Sequence, residues 1–239
     1  MDEHDRIIPL RRPAGAGPLA GLTVLAVEDS RFASEALRLL CLRSGARIRR
    51  ADSLAAARRH LAVYRPSVLL VDMGLPDGSG AQLLAEAARA TAAAQVILGM
   101  SGDPCAEGAA LAAGAHGFLP KPLPGLAAFQ RAVLSHLPDS VEVSAPGRAA
   151  IGAMPRPDPI AYHDDLAHAA RVLSGKTGPA GLDYVAQFLG GVARIAEDAP
   201  LAEAARALAA ARAEGRAGRG ALAHVTGLLQ ERLSERAAM

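Results

Sequence analysis

Ser67-Val68-Leu69-Leu70-Val71-Asp72 points to a parallel sheet more directly than any other segment of this sequence. Four branched aliphatic residues in a row, with no polar residue between them, read as a strand buried on both faces, the kind found in parallel sheets. The run ends on an aspartate. Two further stretches repeat the pattern: Val24-Leu25-Ala26-Val27 followed by Glu28-Asp29, and Phe118-Leu119-Pro120 followed by Lys121-Pro122. In open α/β sheets the ligand crevice lies just beyond the carboxyl ends of the strands. The spacing therefore predicts that Glu28, Asp29, Asp72 and Lys121 converge at one sheet edge.

Working outward, short aliphatic runs at 22–27, 47–51, 67–72, 95–99 and 117–119 alternate with helical periodicity at 31–44, 53–63, 79–93, 104–114 and 123–137. Five β–α units in about 115 residues predict an α/β domain with a doubly wound parallel sheet. The second run, Arg47-Ile48-Arg49-Arg50-Ala51, is polar and suits a sheet edge. Ser53 and Asp103-Pro104 are placed as helix N-caps, Gly45 and Gly114 as helix stops. Residues 1–20, with Pro9, Pro13 and Pro18, read as a flexible arm, and 138–158, also rich in proline, as a linker. Beyond it only helical periodicity remains, near 159–173, 181–197, 201–214 and 220–235, which predicts an all-α bundle of about four helices. The expected domains are thus 1–20, 21–137, 138–158 and 159–239.

The 239 residues are 51% hydrophobic but only 3% aromatic, so cores of Ala, Leu and Val are expected. A net charge of +2 argues neither for a nucleic-acid binder nor for an acidic tail. Lys121 and Lys176 are the only lysines among 26 basic residues, which draws attention to Lys121. Cys41 and Cys105 fall in different expected helices without a metal-ligand or redox spacing and read as buried small hydrophobes. The acidic start, Met1-Asp2-Glu3-His4-Asp5, is unlike a signal peptide, and no apolar run is long enough for a membrane span. A cytoplasmic location is expected. Gly175-Lys176-Thr177 is not a phosphate-binding loop, since the earlier glycine that loop needs is Ala170; it reads as a helix-ending turn.

Three carboxylates beside one ammonium suit a hard divalent cation and a phosphoryl group. Magnesium favours carboxylate and carbonyl oxygens. Asp72 could act as a nucleophile toward an activated phosphate, with Lys121 engaging the phosphoryl oxygens. Ser101, after the fourth strand, offers a hydroxyl at the same edge.

Over about residues 21–137 these features resemble the receiver domain of bacterial two-component response regulators. The acidic pair matches Glu28-Asp29, and the phosphoacceptor loop matches Asp72-Met73-Gly74-Leu75-Pro76-Asp77-Gly78-Ser79-Gly80. Ser101 matches the hydroxyl switch position, Phe118 the aromatic switch, and Lys121-Pro122 the Lys-Pro pair. The resemblance implies a flavodoxin-like five-stranded sheet in the order 2-1-3-4-5. It implies Mg2+ held by Glu28, Asp29, Asp72 and the carbonyl of Gly74, and a cis Lys121–Pro122 bond. Gly74 and Asp103 would tune loss of the phosphoryl group. The implied donor is a histidine kinase or a histidine phosphotransfer protein, in a switch that catalyses its own phosphorylation and dephosphorylation.

For the helical half three readings stand. A DNA-binding output is disfavoured because residues 151–239 carry ten basic and ten acidic residues with no basic stripe. A histidine phosphotransfer bundle would use His163, His168 or His224. His168-Ala169-Ala170-Arg171 loosely resembles that family's His-x-x-Lys-Gly segment, but Arg171 replaces Lys and Val172 replaces Gly. A module for self-association or for binding an output protein fits the balanced amphipathic helices best.

Overall fold

The computed structural model describes residues 17–90, 93–123, 125–138, 158–175, 178–215 and 218–235. Most of the expected linker, most of the N-terminal arm, and Lys176-Thr177 therefore lie outside the described residues.

Strands β1 (Thr23–Val27), β2 (Arg47–Ala51), β3 (Val68–Asp72), β6 (Val96–Ser101) and β7 (Gly117–Pro120) form one parallel sheet in the order β2-β1-β3-β6-β7. Between β3 and β6 lies a two-stranded hairpin, β4 (Gly74–Leu75) with β5 (Gly78–Ser79), which the sequence pattern did not announce. Leaving this hairpin aside, the order is the expected 2-1-3-4-5. Every residue of β3 and β6 is buried, whereas β2 is exposed at four of five positions to some degree, as an edge strand should be.

Alternation along the strands divides the core in two. Val24, Ala26 and Leu70 face helices α1 (Arg31–Arg43) and α5 (Leu126–Leu134), where Leu37 and Phe129 are fully buried. Leu25, Val27 and Val71 face α2 (Leu54–Val63), α3 (Gly80–Arg89) and α4 (Ala106–Ala112). Gly99 in β6 has a packing role: a Cβ there would lie 2.7 Å from the Cβ of Ala110, so a side chain would push α4 off the sheet.

Helix ends follow local chemistry. Ser30 Oγ accepts from Ala33 N at the start of α1, and Ser53 Oγ from Ala56 N at the start of α2. Asp77 adds a second set of bonds to α2, accepting from the amides of Leu54 and Ala55 at 2.8 and 2.9 Å, which ties the β4–β5 hairpin to that helix. Gly45 and Gly114 end α1 and α4 with φ of 79° and 96°, conformations open to glycine.

Two sequence expectations need correcting. Asp103 is not the N-cap of α4: it accepts from Cys105 N in the turn before, and the helix starts at Ala106 without a side-chain cap. Cys105 is accordingly exposed rather than buried in a helix, while Cys41 is buried as expected. One boundary also shifts. Leu19, in the stretch assigned to the N-terminal arm, is fully buried, and its amide donates to Ser44 O.

The C-terminal half comprises α6 (Pro159–Ser174), α7 (Pro179–Ile195), α8 (Ala199–Ala213) and α9 (Arg219–Glu235) around a core that includes Leu166, Leu189, Leu208 and Leu229. Proline opens α6, α7 and α8, where its missing N–H costs nothing. Asp198 joins the bundle's ends, accepting from Tyr162 Oη and from Arg232. Among the described residues no helix is long and apolar enough to cross a membrane.

The two thiols should differ sharply in reactivity. Burial pushes the Cys41 thiol up to about 12, so little thiolate forms there. An aromatic disulfide reagent should label Cys105 alone in the native protein and both cysteines after denaturation; mass spectrometry of the labelled peptides checks this.

Candidate phosphoacceptor and metal site

Strand ends β1, β3 and β7 bring Glu28, Asp29, Asp72 and Lys121 to one edge of the sheet. Lys121 Nζ lies 2.5 Å from Glu28 Oε2 and 3.0 Å from Asp72 Oδ2, and all three side chains are nearly inaccessible to solvent. One carboxylate oxygen from each of Glu28, Asp29 and Asp72 lies within 4.8 Å of the others. Four residues distant in sequence thus share one small volume.

Backbone bonds hold each arm in place. Lys121 N donates to Ser101 O at 2.7 Å, and the Lys121–Pro122 bond is cis. Met73 N donates to Met100 O, fixing the chain just after Asp72. Arg50, from the edge strand, donates to the carbonyls of Glu28 and Asp29 at 3.2 and 2.8 Å. Gly80 closes the loop: a Cβ there would stand 2.0 Å from the Asp72 carbonyl oxygen, so α3 can start this close only on glycine.

Two buried carboxylates and a half-buried one face one ammonium, and the electrostatics follow from that imbalance. Burial raises the Glu28 pKa, with Lys121 opposing and the neighbouring carboxylates reinforcing. Burial, then the charge of Asp72, raises Asp29 as well. Burial alone would lower Lys121, but Asp72 and Glu28 outweigh it and hold the ammonium above the ordinary lysine value. One cation cannot neutralise three carboxylates; a divalent ion would restore balance. Asp29 Oδ1 is buried without a hydrogen-bond partner, an acceptor that a metal ion would satisfy. The donor set, all carboxylate with the Gly74 backbone beside it, suits Mg2+.

Three further candidates lie on or beside β6 and β7. Ser101 is buried at the end of β6, where its hydroxyl accepts from Asp103 N at 3.0 Å. It is not among the residues lining the small acidic cavity. Phe118 is half-buried against the α4 side of the sheet, with its ring 3.4 Å from where a Gly99 Cβ would stand. Asp103 is exposed and capped onto Cys105 N.

Sequence reasoning missed the helical half's share in this site. Tyr184 Oη donates to Asp29 Oδ2 at 2.5 Å. Since the single hydroxyl proton is used there, the oxygen accepts from His168 Nε2, 3.1 Å away. Burial, then the charge of Asp29, raises the Tyr184 pKa and keeps the hydroxyl protonated. Gln187, Phe188, Gly191 and Val192 of α7 line the same cavity as Glu28 and Asp72. One sequence signal was available. Gly190-Gly191 interrupts the middle of a strongly amphipathic helix, where each glycine costs about 1 kcal/mol relative to alanine and so calls for a packing reason.

A family model described as the response regulator receiver domain matches residues 24–132. The KDP operon transcriptional regulatory protein KdpE of Escherichia coli (strain K12) is 31% identical over 99 residues, which cover 41% of this chain and 44% of that protein. The chain thus spans less than half the length of this curated relative. Among solved structures, a putative response regulator from Chloroflexus aurantiacus J-10-fl is 28% identical with a TM-score of 0.43, covering 48% of this chain and 98% of that one. The receiver domain of sensor histidine kinase PA1611 from Pseudomonas aeruginosa PAO1, which has a magnesium ion coordinated in its active-site cleft, is 22% identical with a TM-score of 0.45. That match covers 49% of this chain and 98% of the other. With five parallel strands in the order 2-1-3-4-5 and an acidic pocket at their carboxyl ends, residues 24–132 match the response regulator receiver domain in fold and family model, and a helical C-terminal region follows them in this chain.

Proposed function

We propose that this chain is a phosphorylation-dependent signalling switch in which Asp72 accepts a phosphoryl group from a histidine kinase or a histidine phosphotransfer protein. The observation that carries the reading is the convergence of Glu28, Asp29, Asp72 and Lys121 from three strand ends. In the transfer, a carboxylate oxygen of Asp72 bonds to phosphorus as the bond to the donor's imidazole nitrogen breaks. The imidazole leaves with the electron pair and takes up a proton. Glu28, Asp29, Asp72 and the Gly74 carbonyl would hold Mg2+, whose charge neutralises the phosphoryl oxygens.

The chain's own groups do the rest. Lys121, paired with Asp72 at 3.0 Å, would follow the negative charge onto the new acyl phosphate. Ser101 would exchange its bond from the Asp103 amide for one to a phosphoryl oxygen. Phe118 packs behind β6, beside the segment that Ser101 would draw inward. By the receiver resemblance, Gly74 and Asp103 would set how readily water reaches the acyl phosphate. Such a switch works by population shift, since the added charge is satisfied in only one loop arrangement.

For the output, a module that binds protein surfaces is favoured over a phosphotransfer domain by one observation. Of the three candidate histidines, His168, the one in the segment that loosely resembles the phosphotransfer motif, is hydrogen-bonded to Tyr184 rather than free on the bundle surface. The balanced charge of residues 151–239 continues to argue against DNA.

Three outcomes test the reading. Incubated with acetyl phosphate and Mg2+, wild-type protein should give a retarded band on phosphate-affinity electrophoresis and Asp72→Asn none; a retarded band in the variant sinks the assignment of Asp72. Replacing EDTA by millimolar Mg2+ should raise the thermal unfolding midpoint, through preferential binding to the folded state, and Asp29→Asn should abolish the shift. Lys121→Met removes the cation shared by buried carboxylates and should cost about 3 kcal/mol in urea denaturation without Mg2+. An unchanged midpoint would show that the ion pairs contribute nothing to stability.

A further inference from the structure

The acidic crevice is closed from above. Between the receiver and α7 it retains a cavity of only about 10 Å³, roughly what one water molecule requires. A phosphoryl group with its donor cannot enter so small a space. Among the described residues the closure comes from α7 of the C-terminal helices. Tyr184 hydrogen-bonds Asp29, and the Gln187 side chain lies where a Cβ on Gly74 would stand. Arg194 covers Gly102 in the loop after β6: its guanidinium occupies the space of a Gly102 side chain.

The contact has the features of a built interface. Asp165 of α6 is 2% exposed, and its carboxylate accepts from Ser30 Oγ at 2.7 Å, Arg31 N at 2.9 Å and Phe32 N at 3.0 Å. The last two are free amides of the first turn of α1, where a negative charge is favoured. A buried carboxylate whose bonds all reach across to the other half of the chain is expensive unless the halves are docked. Tyr162 packs its ring against Phe32, with centroids 5.6 Å apart. Gly191 of α7 faces the receiver: a Cβ there would meet a single neighbour, Lys121 Cδ at 4.0 Å, an ordinary van der Waals contact. The helix thus passes over the site lysine with room for a methyl group but not for a long side chain.

We infer that the C-terminal bundle is a lid on this chain's own phosphoacceptor crevice, so that docking of α6 and α7 and phosphorylation of Asp72 exclude one another. The inference rests on the phosphoacceptor reading of Asp72 and adds its regulation. Phosphoryl uptake proceeds only from the undocked fraction of molecules, and an aspartyl phosphate holds the bundle off, exposing the α6–α7 face bearing Asp165, Tyr184 and Gln187. The chain between residues 138 and 158 would reach about 60 Å if extended, ample for such a departure. The lid thereby makes access by the donor and release of the output a single event.

The test uses the full chain with acetyl phosphate and Mg2+, in which the Asp72 oxygen–phosphorus bond forms as acetate leaves with the electron pair. Gly191→Arg places a long side chain against Lys121 and forces undocking; Asp165→Ala removes the clasp on α1 and serves if the first variant fails to fold. Both should accelerate phosphoryl uptake about tenfold or more, because the rate scales with the open fraction. In wild-type protein, phosphorylation should deprotect the amides of Arg31 and Phe32 in hydrogen exchange. Equal uptake by wild type and both variants, or retained protection at those two amides in phosphorylated protein, overturns the lid while leaving Asp72 as phosphoacceptor. Absence of uptake in all three proteins defeats the phosphoacceptor reading, and the lid with it.

Discussion

Glu28, Asp72 and Lys121 form an ion cluster removed from water at the carboxyl edge of the sheet, and much of the molecule is arranged around the cost of keeping it there. Isolated buried charge is unfavourable by several kcal/mol per ion, so each member must be paired and hydrogen-bonded. Lys121 pairs with two carboxylates. Ser30 N donates to Glu28 Oε1, and Arg50 reaches across the edge strand to the carbonyls of the acidic pair. The parallel sheet supplies the rigidity: Val27, Val71 and Leu119, each one or two residues before a site residue, are essentially inaccessible to solvent. A frame this well packed holds three carboxylates close together despite their mutual repulsion.

The imbalance left by a single cation gives the site its chemistry. Two carboxylates are pushed toward protonation by burial, and one buried oxygen of Asp29 lacks a partner. Such a site is suited to a divalent ion. The helical half answers the same deficit differently, with a neutral donor: the Tyr184 hydroxyl supplies one hydrogen bond to Asp29 where a metal would supply two charges. The bundle thus stabilises the site without completing it, a suitable condition for a contact that must give way.

Both halves were readable as folds. The aliphatic runs place all five sheet strands within about two residues, because an uninterrupted Val/Leu/Ile stretch leaves little choice but burial on both faces. The polarity of Arg47–Ala51 identified the edge strand for the converse reason. The four C-terminal helices also fall where their apolar spacing put them. Helix starts were less legible at Asp103, where an aspartate and a proline mimic an N-cap but the backbone makes a turn before α4 begins. The β4–β5 hairpin is too short to carry a periodic signal. Leu19 was hidden among prolines and glycines, whose composition outweighed one buried leucine.

By itself the sequence determined the receiver: strand-end acids, the lysine after β7, and the glycines of the Asp72 loop can converge in only one way once the strands are parallel. Gly80 shows why that much was local, since its role is set by backbone a few residues away. What the tertiary structure alone decided is the relation between the halves. Asp165, Tyr184 and Gly191 lie more than 100 residues from Ser30, Asp29 and Lys121 or on the far side of a proline-rich stretch, and no periodicity links such positions. An amphipathic pattern records that a face is buried, but not against what. Only the docked arrangement shows that the polar residues on α6 and α7 meet the free amides of α1 and the acidic crevice, where unpaired donors and acceptors on each side satisfy one another.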